Sequence, residues 1–132
     1  QHGCDIDVEF TEQGQQPFAN CSLLIFATAK FPEALIYIKQ HDGILLSCDS
    51  IKNWLSPDEY FSEQSAAAYQ EQGFFGKATI SKIWQQAMTV KASDFERLKQ
   101  LSFRHLLSAH GEPLLNTAYG DVLNTIKQEY GV

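Results

Sequence analysis

The chain contains no run of lysine and arginine, no C-x-x-C pair and no apolar stretch near the length of a membrane span. Lys and Arg total 10 against 16 Asp and Glu, leaving a net charge of -6 and no basic stripe to neutralise phosphates. Nucleic acid is thereby excluded as the main partner. A bilayer-spanning helix needs roughly 20 apolar residues, and no charged n-region with a cleavable apolar h-region opens the chain. A soluble, cytoplasmic protein with no membrane partner is expected. The cysteines (Cys4, Cys21 and Cys48) are odd in number and widely spaced. That suits buried free thiols in a reducing compartment better than a disulfide framework or a structural zinc site. Methionine is nearly absent and does not stand first. Gln1-His2-Gly3-Cys4 reads like the inside of a longer sequence, so a fragment is expected.

What is present is enough apolar residue, 44% of 132, for a single domain spanning 1–132. The first half reads as strands. Asp5 to Phe10 alternates polar and apolar, Ser22 to Thr28 is nearly continuous, and Ala34 to Lys39 and Gly43 to Cys48 follow. His41-Asp42-Gly43 supplies a D-G turn that joins the last two into a hairpin. The second half reads as helices. Ile80, Ile83, Trp84, Ala87 and Met88 share one helical stripe. Ser93 and Glu96 have capping-box spacing, and Tyr119, Val122, Leu123 and Ile126 make a last amphipathic helix ending before Gly131. His105 to Ser108 is most simply one more strand. These parts predict an α+β fold, a mostly antiparallel sheet with helices on one face. Lys52 to Gly76 has no clean period: Asn53 to Pro57 is turn-like and Glu63 to Gln72 a short helix. Gly73-Phe74-Phe75-Gly76 reads either as an exposed lid or as a loop tucking its rings inward.

Two residues carry candidate chemistry. Asp49 follows the apolar run Ile44-Leu45-Leu46, and His110 follows Leu106-Leu107, so each emerges where a strand gives way to a loop. A sheet fixes such groups while loops leave access to them. Side by side, a carboxylate and an imidazole can bind zinc or iron, or share a proton. Each can equally be an ordinary turn residue. His105, five residues before His110, points to the opposite face of an extended strand. His41 is a hairpin residue, and His2 near an amino terminus can take up copper or nickel adventitiously. The helical H-E-x-x-H, the G-x-S-x-G elbow, the Walker loop and G-x-G-x-x-G are all absent. A Cys48–His110 nucleophilic pair is disfavoured because Cys48 directly precedes Asp49 and should face away from it.

Three pieces resemble the C-terminal half of a metallo-β-lactamase-fold domain. They are PEALIYIKQHDGILLSCDSIKNW (32–54), DFERLKQLSFRHLLSAHGEPL (94–114) and the closing helix. In that superfamily a hairpin ends in "GD" or "CD", and a later strand ends in a histidine-glycine loop. The resemblance implies that Asp49 of SCDS and His110 of SAHGEP are metal ligands. The phrase CDSIKNW is most similar to an uncharacterised bacterial group of the superfamily. The resemblance also implies half of an αββα sandwich, since the half carrying H-x-H-x-D-H has no counterpart here. Lys30, in ATAKFPEAL, stands where the superfamily has its middle histidine.

The implied activity is that of a metal-dependent hydrolase of an ester, thioester, lactone or phosphodiester, with an incomplete metal site. Zinc, iron or manganese would sit on Asp49 and His110, with Ser50 and Glu112 supporting them from behind. The alternative is a non-catalytic binding or assembly module that holds no cofactor. There Lys30 pairs with Asp49, and the apolar sheet face is covered by a second copy or by a missing N-terminal half.

Overall fold

The computed structural model describes Gly3 and residues 5–132. The readings made for Cys4 and His2 lie outside the described residues. Strands β1 (Cys21–Ile25), β2 (Ala34–Ile38), β3 (Ile44–Leu46) and β6 (His105–Leu107) form one sheet in the order β1-β2-β3-β6. Strands β4 (Lys52–Trp54) and β5 (Gly76–Thr79) form a second, antiparallel sheet. Helices α1 (Glu63–Glu71), α2 (Lys82–Met88), α3 (Ala92–Glu96) and α4 (Ala118–Tyr130) complete the mixed α+β architecture expected from the sequence.

The β2–β3 hairpin forms as its D-G signal predicts. His41 and Asp42 both adopt positive φ (52° and 63°), the backbone of a two-residue type I′ turn. Gly43 follows at φ 87°, where a Cβ would stand 2.1 Å from the Ser102 carbonyl oxygen. That close approach lets β6 dock beside β3: the Arg104 and His105 amides donate to Gly43 O at 2.9 and 3.2 Å. The β3–β6 pair is parallel, and the other two pairs of this sheet are antiparallel.

Strand parity sorts the large sheet into two faces. Leu24, Leu35, Tyr37, Leu45 and Leu106 share the inner face. Leu35, Leu45 and Leu106 there join Phe26, Trp84, Phe95, Val122 and Ile126 in one buried cluster. The outer face carries the cross-strand row Leu23–Ile36–Leu46–Leu107 with Ile25, Ile38 and Ile44 beside it, all half-buried.

Several elements differ from the sequence reading. Asp5 to Phe10 forms no strand: Ile6, Val8 and Phe10 are exposed, and this segment joins neither sheet. Alternation without a pairing partner does not make a strand. The Ser93–Glu96 capping box is also absent. Helix α3 starts one residue earlier than Ser93, with Lys91 as N-cap and no side-chain cap. Asp94 is instead turned into the protein, where it accepts from the Ala27 amide (3.2 Å), the Thr28 amide (2.9 Å) and the Thr28 hydroxyl (2.6 Å). The unperiodic stretch from Lys52 conceals the two-stranded sheet, whose strands are short and polar.

Candidate functional site

Asp49 and His110 meet. His110 Nε2 lies 2.6 Å from Asp49 Oδ1, and both side chains are about half exposed. The pairing follows from the parallel β3–β6 register, which brings the C-terminal ends of two neighbouring strands to the same edge. Beyond β3 the chain turns at once: the Ser50 amide and hydroxyl both donate to Ser47 O, at 3.0 and 2.7 Å. Cys48 occupies this turn at φ 45°, a left-handed conformation costing roughly 1–2 kcal/mol for a residue with a Cβ. The two strand ends are tied together through its carbonyl, which accepts from the Ala109 amide (3.0 Å) and the Ser108 hydroxyl (3.2 Å).

The His110 loop is locked from the other side by β4. Gly111 adopts φ +86°, and a Cβ there would stand 2.1 Å from Asn53 O, so no other residue fits without moving backbone. Asn53 brackets the loop: its carbonyl accepts from the Glu112 amide, and its Nδ2 donates to Glu112 O, both at 2.9 Å. The Trp54 ring lies nearly parallel to the His110 imidazole (13°, centroids 5.8 Å apart). Behind Trp54 stand Phe61, Tyr69 and Phe75, and Phe74 packs on Tyr69. The Gly73–Gly76 loop therefore tucks inward, with Phe75 buried and Phe74 half-buried. A cavity of 210 Å³ flanks the stack, lined by Trp54, Leu55, Asp58, Gly111 and Glu112 among others. A larger one, 620 Å³, lies between Leu101–Arg104 and the start of α4 and includes neither Asp49 nor His110.

Charge accumulates around Asp49. Burial, and then the Asp49 carboxylate, push Glu33 above the ordinary carboxylate range. Trp84 Nε1 approaches Glu33 without reaching hydrogen-bond geometry and is left buried and unpartnered. Burial followed by Asp49 and Glu33 raises the Cys48 thiol as well. An exposed cysteine held protonated is a poor nucleophile, and this disfavours a Cys48–His110 pair on electrostatic grounds. Asp49 Oδ1 is itself shielded from solvent and receives no aligned hydrogen bond, despite its short contact with His110.

The remaining expected residues do not converge. Lys30 is exposed, with its ammonium over the Phe31 ring at 5.3 Å. Among the described residues no ion pair joins it to Asp49. Its amide donates to Met88 O at 2.8 Å, which ties this loop to the end of α2 and corrects the expected Lys30–Asp49 pair. Ser50 is fully buried and spends its hydroxyl on Ser47 O, and Glu112 is exposed and acts through its backbone. Neither side chain supports the pair from behind. Cys21 and Cys48 are both free thiols, but Cys48 is exposed rather than buried.

Sequence reading overlooked Glu33, Trp54 and above all Lys52. The available signal was the i, i+2 spacing of Lys52 and Trp54 directly after the SCDSI turn. Among the described residues no three His, Cys, Asp or Glu side chains gather closely enough to hold a metal ion. Asp49 and His110 alone could serve as ligands, and they contact each other directly at 2.6 Å. No family model matches the chain, and no curated protein or solved structure is significantly similar to it.

Proposed function

We propose that the chain carries the remnant of a metal-dependent hydrolase site of metallo-β-lactamase type, built on one half of an αββα sandwich. The observation that carries the reading is the 2.6 Å approach of Asp49 and His110 at the ends of adjacent parallel strands. A divalent zinc, iron or manganese ion held by these two residues would supply Lewis acidity for hydrolysis of an ester, thioester, lactone or phosphodiester. Asp49 contributes charge and a free lone pair. His110 is oriented by the Trp54 stack and by the loop that Gly111 permits. Two protein ligands are fewer than the three usual in a catalytic zinc site, so the site is incomplete as it stands. The free thiols Cys21 and Cys48 suit a reducing, cytoplasmic setting; among the described residues no helix is long and apolar enough to cross a membrane.

A second reading, an assembly module, is favoured by the outer sheet face. Seven aliphatic side chains stand on it and none of its strand residues is Lys, Arg, Asp or Glu, while Glu9 and Glu33 border it beside Leu23 and Ile25. A second copy, or an N-terminal half of the sandwich, would cover it. Equilibrium dialysis against zinc, iron(II) or manganese, followed by elemental mass spectrometry, separates the readings. Metal bound by the wild type and lost in Asp49→Ala and His110→Ala supports the hydrolase remnant. A folded protein that takes up no metal but sediments as a dimer, and becomes monomeric as Ile36→Lys, supports the assembly module instead.

A further inference from the structure

Strand β1 is an edge of the four-stranded sheet. On its inner side Asn20 O accepts from the Lys39 amide and the Phe26 amide donates to Glu33 O, across to the ends of β2. The backbone groups of the odd residues between them, Cys21, Leu23 and Ile25, therefore face away from the sheet. The opposite edge is closed by backbone: the Leu106 amide donates to Leu114 O (2.9 Å) and the Leu114 amide to Leu106 O (3.0 Å). At β1 side chains close it. Gln16 Oε1 accepts from the Leu23 amide at 2.7 Å, the Glu12 carboxylate accepts from the Ile25 amide, and Arg97 Nη1 donates to Ile25 O at 2.9 Å. Arg97 Nη2 also donates to both Glu12 oxygens, each at 2.8 Å. Water would satisfy these backbone groups as well, and fixing long polar side chains costs conformational entropy. An uncovered row of amides and carbonyls, however, is a template for another strand.

The segment that supplies Glu12 and Gln16 is fastened by little else. The other hydrogen bonds of residues 11–16 are internal, such as Gln16 Nε2 to Thr11 O at 2.8 Å and the Gly14 amide to Thr11 O at 3.3 Å. Ahead of it Ile6, Val8 and Phe10 are exposed. The Arg97–Glu12 pair is itself partly exposed, so solvent and salt weaken it. The edge beneath fits a second copy of the chain. Across an antiparallel joint outward residues pair with outward residues, so a two-fold axis at Leu23 sets Leu23 opposite its own copy and Cys21 opposite Ile25. Leu23 ends the outer-face row Leu23–Ile36–Leu46–Leu107, and such a joint runs that row on into the second copy. No like charges oppose it, since β1 reads Cys-Ser-Leu-Leu-Ile.

We propose that residues 11–16, with Arg97, form a releasable strap that keeps the β1 edge closed to strand pairing with a second copy of this chain. The strap belongs neither to the Asp49–His110 pair nor to the outer sheet face, so the inference stands apart from both readings above. Glu12→Ala combined with Gln16→Ala removes it and leaves β1 unchanged. In sedimentation velocity over a dilution series, self-association of that double variant is expected to strengthen at least about tenfold over the wild type. Adding Leu23→Pro, which deletes an outward amide that an edge strand can spare, should return association to the wild-type level. Adding Ile36→Lys, which charges the outer face, should leave the gain in place. Arg97→Met opens the same edge from its other end, should the double variant lose its cooperative melt. Leu23→Lys, which sets like charges opposite each other across the two-fold axis, replaces Leu23→Pro on the same ground. A folded strapless protein that associates no more strongly than the wild type overturns the proposal. So does a gain that survives Leu23→Pro or disappears with Ile36→Lys.

Discussion

In the four-stranded sheet each strand presents aliphatic side chains, and its inner face closes over Phe95, Val122 and Ile126. In the two-stranded sheet, Lys-Asn-Trp pairs with Gly-Lys-Ala-Thr, and it buries a lysine, an asparagine and one alanine. The first is held by apolar area removed from water, at roughly 25 cal/mol per Å². The second is held by specific contacts: the Asn53 bracket on residues 111–112, the aromatic packing around Trp54, and the Lys52–Ser81 bond. Its unsatisfied atoms are telling. Asn53 Oδ1 is shielded and unpaired, and Asp49 Oδ1 is shielded with only its short His110 contact, at the edge where the candidate chemistry lies.

Substitutions can break this contrast, the largest effect coming from the apolar sheet. Leu45, fully buried between β2 and β6, should cost about 2–5 kcal/mol as Leu45→Ala. Urea denaturation should show both sheets lost in one transition. A first transition that spares the β4–β5 aromatic cluster, followed by tryptophan fluorescence, would mean that the two sheets fold separately.

Gly111→Ala probes the other region. Strain at positive φ and the collision with Asn53 O should cost roughly 2 kcal/mol. Because His110 moves with the loop, the larger consequence is local. The Trp54–His110 stack should open, seen as a changed tryptophan emission in a protein that remains folded. Unchanged emission would show that the loop is positioned by something other than the Asn53 contact.

The smallest expected effect sharpens the comparison from inside the core. Tyr130 packs against Phe95 with tilted rings, and its hydroxyl is buried without a partner among the described residues. Tyr130→Phe should therefore stabilise the protein by about 1 kcal/mol. Burial pushes the Tyr130 phenol from its ordinary 10.0 up to about 12. Between those values the unfolded chain gives up this proton more readily than the native state. Wild-type stability should accordingly fall as pH rises from 10 toward 12. The Phe variant should lose less over that range, as measured by thermal melts in matched alkaline buffers. Parallel pH profiles would argue against the buried hydroxyl.

The legible parts of this protein are those with a strong local signal. The β2–β3 hairpin was readable because His41-Asp42-Gly43 carries a turn signal between two apolar runs, although the central residues of the turn are His41 and Asp42. The last helix was readable because its stripe ends at Gly131, in left-handed conformation at φ 74°. Asp49 and His110 were readable as strand-end residues. Asp5 to Phe10 misled because alternation carries no information about whether a neighbouring strand exists. Ser93 misled because Asp94 was committed to a loop 66 residues away, a bond that local spacing cannot reveal.

The sequence by itself determined the α+β composition, the hairpin, the final helix and the two polar residues at strand ends, since each follows from periodicity or turn chemistry within a short window. Only the tertiary structure decided that β6 lies parallel to β3, so that Asp49 and His110 touch, and that Lys52 is buried under Phe74 while Lys30 stays exposed. Those outcomes depend on contacts between residues roughly 60 positions apart and on which side of a short polar strand is buried. No local pattern encodes either.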